Sequence, residues 1–380
     1  MTANRAVTLD RAALRRQMPD DLFELPLFAT LCKALLLIAV SAALLWGVAA
    51  AASILALAPL GAALGVTVFA LAAIGHESGH LTASRNRFVN DLVGALTMSL
   101  VFMPARGWKV YHDVHHRHTG VLGIDTDAQY TVAQYVSLSP GKRRAMRWVC
   151  ENEFLFWPLG ALIIAGINWS YSLDIALRPE AYARRVRVWN RVDMVVASAA
   201  FAGAVAFAIH VGPIAFLFGL ALPYAIGGVI GAATFTTNHR NLPPLTREES
   251  ARATRLFHLN TRTLTFPRWF PGAYFTSYVP WQIEHHLFPT IAGAKLARVS
   301  PWVRRHAEER GVALEYVNYF RCAKDVSRTR FAWGADGRLH AFADIDRLLA
   351  AGVEPQRMPG YEKETSVVGR RDLRDLFGLR

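Results

Sequence analysis

The stretch Ala34–Gly75, closed by His76-Glu77-Ser78-Gly79-His80, decides the fold. It runs 42 residues without Asp, Glu, Lys or Arg and then ends in two histidines at i and i+4. A helix needs roughly 20 apolar residues to cross a bilayer, so this run holds two spans, with a break at Pro59-Leu60-Gly61. A second run, Met194 to Asn238, extends 45 residues without a charge, breaks at Gly212-Pro213, and is followed by His239. Two transmembrane helical hairpins are the reading. Buried helices of a soluble core rarely need apolar runs of this length.

Composition agrees. The chain has 380 residues, is 53% hydrophobic, and carries a net charge of +13. A basic chain raises nucleic acid as a partner, but the charge is distributed as in a membrane protein. The breaks at Pro59 and Gly212 carry no charge, whereas Arg5, Arg11, Arg15, Arg16, Lys142, Arg143, Arg144, Arg147, Arg184, Arg185, Arg187, Arg304 and Arg305 lie toward the other side. That is the positive-inside pattern, reinforced by attraction to anionic cytoplasmic lipid. No nucleic-acid partner is expected. The first 25 residues are charged in both signs and the apolar run after them is too long for a cleavable signal. Cys32, Cys150 and Cys322 are far apart and form no CxxC, so neither a disulfide framework nor a cysteine zinc site is indicated.

The expected organisation is an all-α integral membrane protein. Residues 1–26 form a cytosolic lead-in of amphipathic character. A membrane domain covers 27–310, with spans at about 30–58, 60–80, 194–211 and 213–237. Residues 311–380 form a cytosolic C-terminal region, expected to pack rather than to dock a partner. Two further apolar segments, 88–104 and 154–172, are assigned to the interface. Parity sets the second assignment: a span at 154–172 would put the histidines before it and those after it on opposite faces. Four spans, with both termini cytosolic in a multi-pass cytoplasmic-membrane protein, bring all of them to one side.

Those histidines fall in three clusters: His76-Glu-Ser-Gly-His80, His112-Asp-Val-His115-His116 and Gln282-Ile-Glu-His285-His286. Imidazole is the commonest protein ligand for iron, zinc and copper. His76 and His80 share one helix face. Adjacent histidines, as in His115-His116, point in different directions from one turn and so suit two ions better than one. The first cluster also reads as H-E-x-x-H, the zinc metalloprotease signature with Glu77 as general base. That reading needs one further ligand and leaves the other clusters unexplained. His239, at the cytosolic end of the fourth span, joins the ligand candidates, with Asn238 as a polar neighbour. Asp125 and Asp127 are candidate carboxylate partners for ligating imidazoles, or an ordinary Asx turn. Gln282 is a weak ligand suited to acting by hydrogen bond or through water; His118 stands behind the ligands or at the surface, and Glu284 stands behind them or, by preference, at the surface.

Taken together, HxxxH, HxxHH and QxxHH on two membrane hairpins resemble the membrane fatty acid desaturase and hydroxylase superfamily, over roughly residues 70–310. Gly107-Trp108 ahead of the second cluster, Thr119 and the Asp-x-Asp after it, and Trp281-Gln-Ile-Glu-His-His-Leu-Phe-Pro289 carry the resemblance most specifically, the last being similar to bacterial acyl-lipid and front-end desaturases. The resemblance implies a non-haem di-iron centre in a cytosolic helical cap, with His76, His80, His112, His115, His116, His239, His285 and His286 as ligands. Gln282, Asn238, Asp125, Asp127, Glu77 and His118 would stand behind them. It also implies O2 as co-substrate and a fatty acyl substrate on lipid, CoA or carrier protein. No His-Pro-Gly-Gly of a fused cytochrome domain occurs, so electrons are expected from a separate ferredoxin or cytochrome-type donor. The chemistry demands a redox metal, because an unactivated methylene offers no acidity to a general base. The same site could run as a hydroxylase, ketolase or acetylenase.

Overall fold

The computed structural model describes residues 7–51, 53–127, 129–267, 272–276 and 278–362. Residues 1–6 of the N-terminal lead-in and 363–380 of the C-terminal region lie outside them. Helices dominate: α1 (Arg11–Gln17), α2 (Leu27–Ala50), α3 (Ile54–Gly79), α4 (Arg87–Ser99), α5 (Ala105–His118), α6 (Pro140–Glu151), α7 (Gly160–Leu177), α8 (Arg184–Val211) and α9 (Leu222–His239). Strand β1 (Arg262–Thr265) and helices α10 (Gln282–Leu287) and α11 (Gly293–Glu308) follow. Then come β2 (Glu315–Asn318), α12 (Tyr319–Val326), β3 (Phe331–Trp333), β4 (Leu339–Ala341) and α13 (Phe342–Ala350).

The first hairpin turns earlier than the sequence suggests. α2 ends at Ala50 and α3 starts at Ile54, so the break does not fall at Pro59, which lies inside α3. Ser53 sets the start: its side chain accepts from the Leu55 N–H at 3.3 Å, and its carbonyl takes the N–H groups of Ala56 and Leu57. A proline so close to the helix start removes only one backbone hydrogen bond, to the Leu55 carbonyl. The second hairpin turns where expected. Gly212 has φ +84°, a left-handed conformation open to glycine, and Pro213 opens the next helical segment. That segment passes through one π-helical turn, Leu217–Ala221, before α9.

Among the described residues, five segments are long and apolar enough to cross a membrane: Leu27–Ala50, Ile54–Gly79, Glu153–Leu177, Arg184–Val211 and Pro213–His239. The third is the segment the sequence assigns to the interface. It begins as a 3-10 stretch, Glu153–Leu159, containing Pro158, and continues as α7. At its start Glu153 pairs with Arg240, the residue after α9, at 3.3 Å. Toward its end Ser172 gives its carbonyl to the Asn190 side chain of α8 at 2.9 Å. Between these, α7 packs against α5 and α9. Gly107 is required here: a Cβ would strike the Asn168 carbonyl and the Ser172 hydroxyl of α7.

A cap of short elements covers one end of the apolar helices. Parallel β1–β2 pairs Thr263 with Tyr316 and Leu264 with Val317. Leu14, Leu22, Ile283, Phe288, Leu296 and Val303 form a core that joins α1, α10 and α11. The described part of the C-terminal region packs onto the rest. α12 lies against α9, and the antiparallel β3–β4 pair and α13 share a core with Val132, Tyr135 and Cys150.

Candidate metal centre

Each histidine cluster arrives on its own element. His76 and His80 end α3, whose last turns are buried against α4, so the helix delivers both rings inward from one face. α5 brings His112, His115 and His116; α9 ends in His239; α10 carries Gln282, His285 and His286. Two groups result. In one, ligand atoms of His76, His80, His112 and His285 all lie within 4.8 Å of one another; in the other, those of His115, His239 and His286 do. His116 sits at the seam. Its Nε2 is 3.0 Å from His112 Nε2, and its ring centre lies 4.6 Å from His80, 4.8 Å from His285 and 4.3 Å from His286.

The second group is oriented from outside. The Nδ1–H of His115 donates to Asp125 Oδ1 at 2.8 Å, that of His239 to the Asn260 carbonyl at 2.9 Å, and that of His286 to Thr119 Oγ1 at 3.2 Å. All three rings therefore keep Nε2 for the interior. This is the usual way a protein fixes the tautomer of a ligating histidine. Thr119 in turn donates to the His115 carbonyl at 2.7 Å, closing a link between α5 and α10. The Gln282 amide bridges the inner side, with its nitrogen 3.2 Å from Nε2 of both His239 and His286. Asn238 is buried, and neither of its amide atoms has a hydrogen-bond partner among the described residues.

The Asp-x-Asp after the second cluster is both an Asx turn and an anchor. Asp125 accepts from the N–H groups of Asp127 (3.0 Å) and Gly120 (2.6 Å) while it holds His115. Asp127 accepts from the Tyr111 hydroxyl and lies 3.5 Å from His115 Nδ1. Burial works against charge on His115, but Asp125 and then Asp127 outweigh it and raise its pKa to about 9. Burial, reinforced by neighbouring rings, pushes His112, His116, His285 and His286 well below the ordinary imidazole value. They are neutral donors, the form a cation needs.

The first group is packed rather than tethered. The Trp108 indole stacks on His112 with ring centres 4.5 Å apart, and lies 5.0 Å from His76. Gly79 permits this, since a Cβ there would overlap the indole. Both nitrogens of His76, and Nε2 of His80 and His285, are buried without a hydrogen-bond partner among the described residues. Unpaired buried imidazole nitrogens are costly, and a cation would satisfy them. The donor set is all imidazole, with no cysteine in either group, which suits iron, copper or zinc.

Glu77 is engaged elsewhere. Its carboxylate accepts from the Gly293 N–H at 3.0 Å and so caps α11. His118 is half-buried and belongs to neither group. Glu284 is a correction: expected at the surface, it is fully buried. It accepts from Thr263 Oγ1 at 2.7 Å and from the Tyr316 hydroxyl at 2.6 Å. α10 is enclosed by β1, β2 and α11, so no face of it reaches solvent, and a short six-residue helix gives no period from which that could be read. Asn260, Thr263 and Tyr316 escape any motif because they act from the cap through single hydrogen bonds.

The family model for fatty acid desaturases matches residues 52–318. The chain belongs to the fatty acid desaturase family, and with its apolar helices it is a membrane protein. It is similar to an sn-1 oleoyl-lipid 12-desaturase of Synechocystis, 26% identical over 59% of this chain and 61% of that protein. It is also similar to an acyl-lipid (8-3)-desaturase of Rebecca salina, 25% identical over 66% of this chain and 58% of the relative. An sn-1 acyl-lipid omega-3 desaturase (ferredoxin) of Nostoc is 36% identical over 19% of this chain and 20% of its own length. The chain thus spans about three fifths, or less, of these relatives.

Proposed function

We propose that this protein is an O2-dependent membrane fatty acyl desaturase that inserts a C=C bond into an acyl chain. The observation that carries the reading is the convergence of three clusters and His239 into two adjacent imidazole groups with His116 between them. His76, His80, His112 and His285 would hold one iron; His115, His239 and His286 would hold the other; His116 completes the set of eight. Bound iron would supply the activation of O2 and the removal of two hydrogens from neighbouring methylenes, chemistry no side chain can perform. A single-zinc protease is disfavoured, because Glu77 is held by Gly293 and the second group has no role in it.

The chain's own residues do the positioning. Asp125, the Asn260 carbonyl and Thr119 hold three rings at Nδ1. Trp108 covers His76 and His112 on the side of Met98 and Met103, and its apolar surroundings exclude water. Gln282 fixes the separation of His239 and His286. An acyl chain would find no polar handle along uniform methylenes, so its register depends on packing among apolar helices.

We place four spans in the cytoplasmic membrane, with both termini and the metal groups on the cytosolic side. Contacts of Glu153–Leu177 support this: its start meets Arg240 after α9 and its end meets Asn190 near the start of α8. In a hairpin those two points share a face, so the segment enters and leaves on one side. Electrons would come from an external donor, for which the ferredoxin named in the Nostoc relative supplies the class.

The test is an in-cell lipid profile. The chain is expressed with a ferredoxin and its reductase in a bacterial host, beside His286→Ala, and total fatty acids are measured by mass spectrometry. A new acyl species lacking two hydrogens, absent from His286→Ala, is expected. A species carrying one added oxygen would instead make the protein a hydroxylase, and identical profiles would count against acyl oxidation in that host's lipids.

A further inference from the structure

A cavity of about 490 Å³, with no histidine in its lining, lies between the end of α6 and the stretch from Arg328 into β3, with Ala341 of β4 and Ala343 of α13 behind it. Arg147, Arg328, Arg330, Glu151 and Phe331 line it. Arg147 is already neutralised, by Glu151 at 2.7 Å and Asp346 at 3.1 Å. Arg328 and Arg330 are exposed and have no ion-pair partner among the described residues. The wall that carries them is built, not loose. The Thr329 N–H donates to the Cys150 carbonyl at 2.9 Å, the Phe154 N–H to the Ser327 carbonyl at 3.3 Å, and Thr329 Oγ1–H to Glu153 Oε2 at 2.8 Å. Two cations with no ion-pair partner among the described residues thus stand at the cavity's edge.

What adjoins them is apolar. Trp148 is 55% exposed, and beside it Leu155, Leu159, Leu162 and Ile163 open the 153–177 segment with their side chains outward. A tryptophan at the head of an exposed apolar helix marks the level of the headgroups. Lys142 and Arg144 of α6 are exposed on the same short helix. Guanidinium forks match phosphate oxygens in pairs, and basic pockets at this depth recognise anionic lipid headgroups.

We propose that this cavity binds the phosphate-bearing headgroup of an anionic glycerophospholipid, with its acyl chains along the Leu155–Ile163 surface. It is a lipid site separate from the histidine groups. It rests on the apolar helices lying in a bilayer and not on the reaction catalysed. Glu153 links it to the candidate centre, because the same carboxylate meets Thr329 and Arg240, the residue after His239.

The test is native mass spectrometry of the full chain in detergent, titrated with phosphatidylglycerol or phosphatidylcholine. The wild type is compared with Arg328→Gln/Arg330→Gln and with Arg298→Gln/Arg305→Gln, which removes the same charge elsewhere. One tightly retained phosphatidylglycerol is expected in the wild type and in the control. Its retention should weaken about tenfold in Arg328→Gln/Arg330→Gln. Arg328→Lys/Arg330→Lys, which keeps the charge but not the fork, should fall between and guards against a folding defect. Equal retention in all variants overturns the proposal, as does equal retention of phosphatidylcholine. Arginine-dependent binding of inorganic phosphate that phosphatidylglycerol does not displace would show a free-anion site instead and overturn it as well.

Discussion

Asp125 holds one ring of the second histidine group and the loop beside it. It orients His115 and, through Gly120 and Asp127, fixes the loop that follows α5. Asp125→Asn keeps the shape but loses the charge and one acceptor geometry. Metal affinity is expected to fall about 10–100-fold, read as iron retained against a graded chelator; unchanged retention would contradict the role given to Asp125. Gly79→Ala should act on the first group, by driving the Trp108 indole off His76 and His112. About 1–3 kcal/mol of stability, with partial loss of iron, is the expected cost, measured by thermal unfolding and metal analysis. The clustered histidines are legible in the sequence as ligand candidates because chemistry restricts a metal site to few side-chain types, in short spacings. Their partners were legible only in part. Asp125 and Asp127 stand near a cluster, but Asn260 contributes a backbone carbonyl that any residue could offer. Glu284 reads as a surface carboxylate until its neighbours are known.

Elements explain how distant clusters meet. The α10 helix is too short to hold its own orientation, so β1 and β2 hold it: Thr263 and its register partner Tyr316 both donate to Glu284. Glu284 immediately precedes the two residues that feed the two groups, since His285 joins one and His286 the other. Tyr316→Phe removes one donor to a buried carboxylate and should cost about 1–3 kcal/mol. The same substitution in a Glu284→Gln background should cost less, because no buried charge is left short of a partner. A double-mutant cycle on thermal stability checks this; additive effects would contradict the coupling. Topology gives a second expectation at this scale. Cysteines placed at Ser139 and Glu180, both exposed, in a Cys32→Ser background should label from the same side of the membrane. Labelling from opposite sides would make Glu153–Leu177 a span and remove the parity argument. Hydropathy finds such segments but not their path, which depends on packing against α5 and α9. The early turn at Ser53 has a similar cause: a cap decides the helix start, and Pro59 fits inside it.

Across the whole molecule, the apolar helices act as a platform and the cap as a clasp. α3 and α9 carry histidines up from the membrane, α5 lies across them, and α10 closes from the cap side. At this scale a helical chain with membrane-length apolar segments is legible in the sequence, because hydrophobic length is a property of long runs rather than of single residues. The measurement that bears most directly on the central claim is the metal content of the purified chain. Two irons per chain are expected, with His115→Ala and His286→Ala each losing the greater part of one. One zinc per chain, unaffected by either substitution, would contradict it.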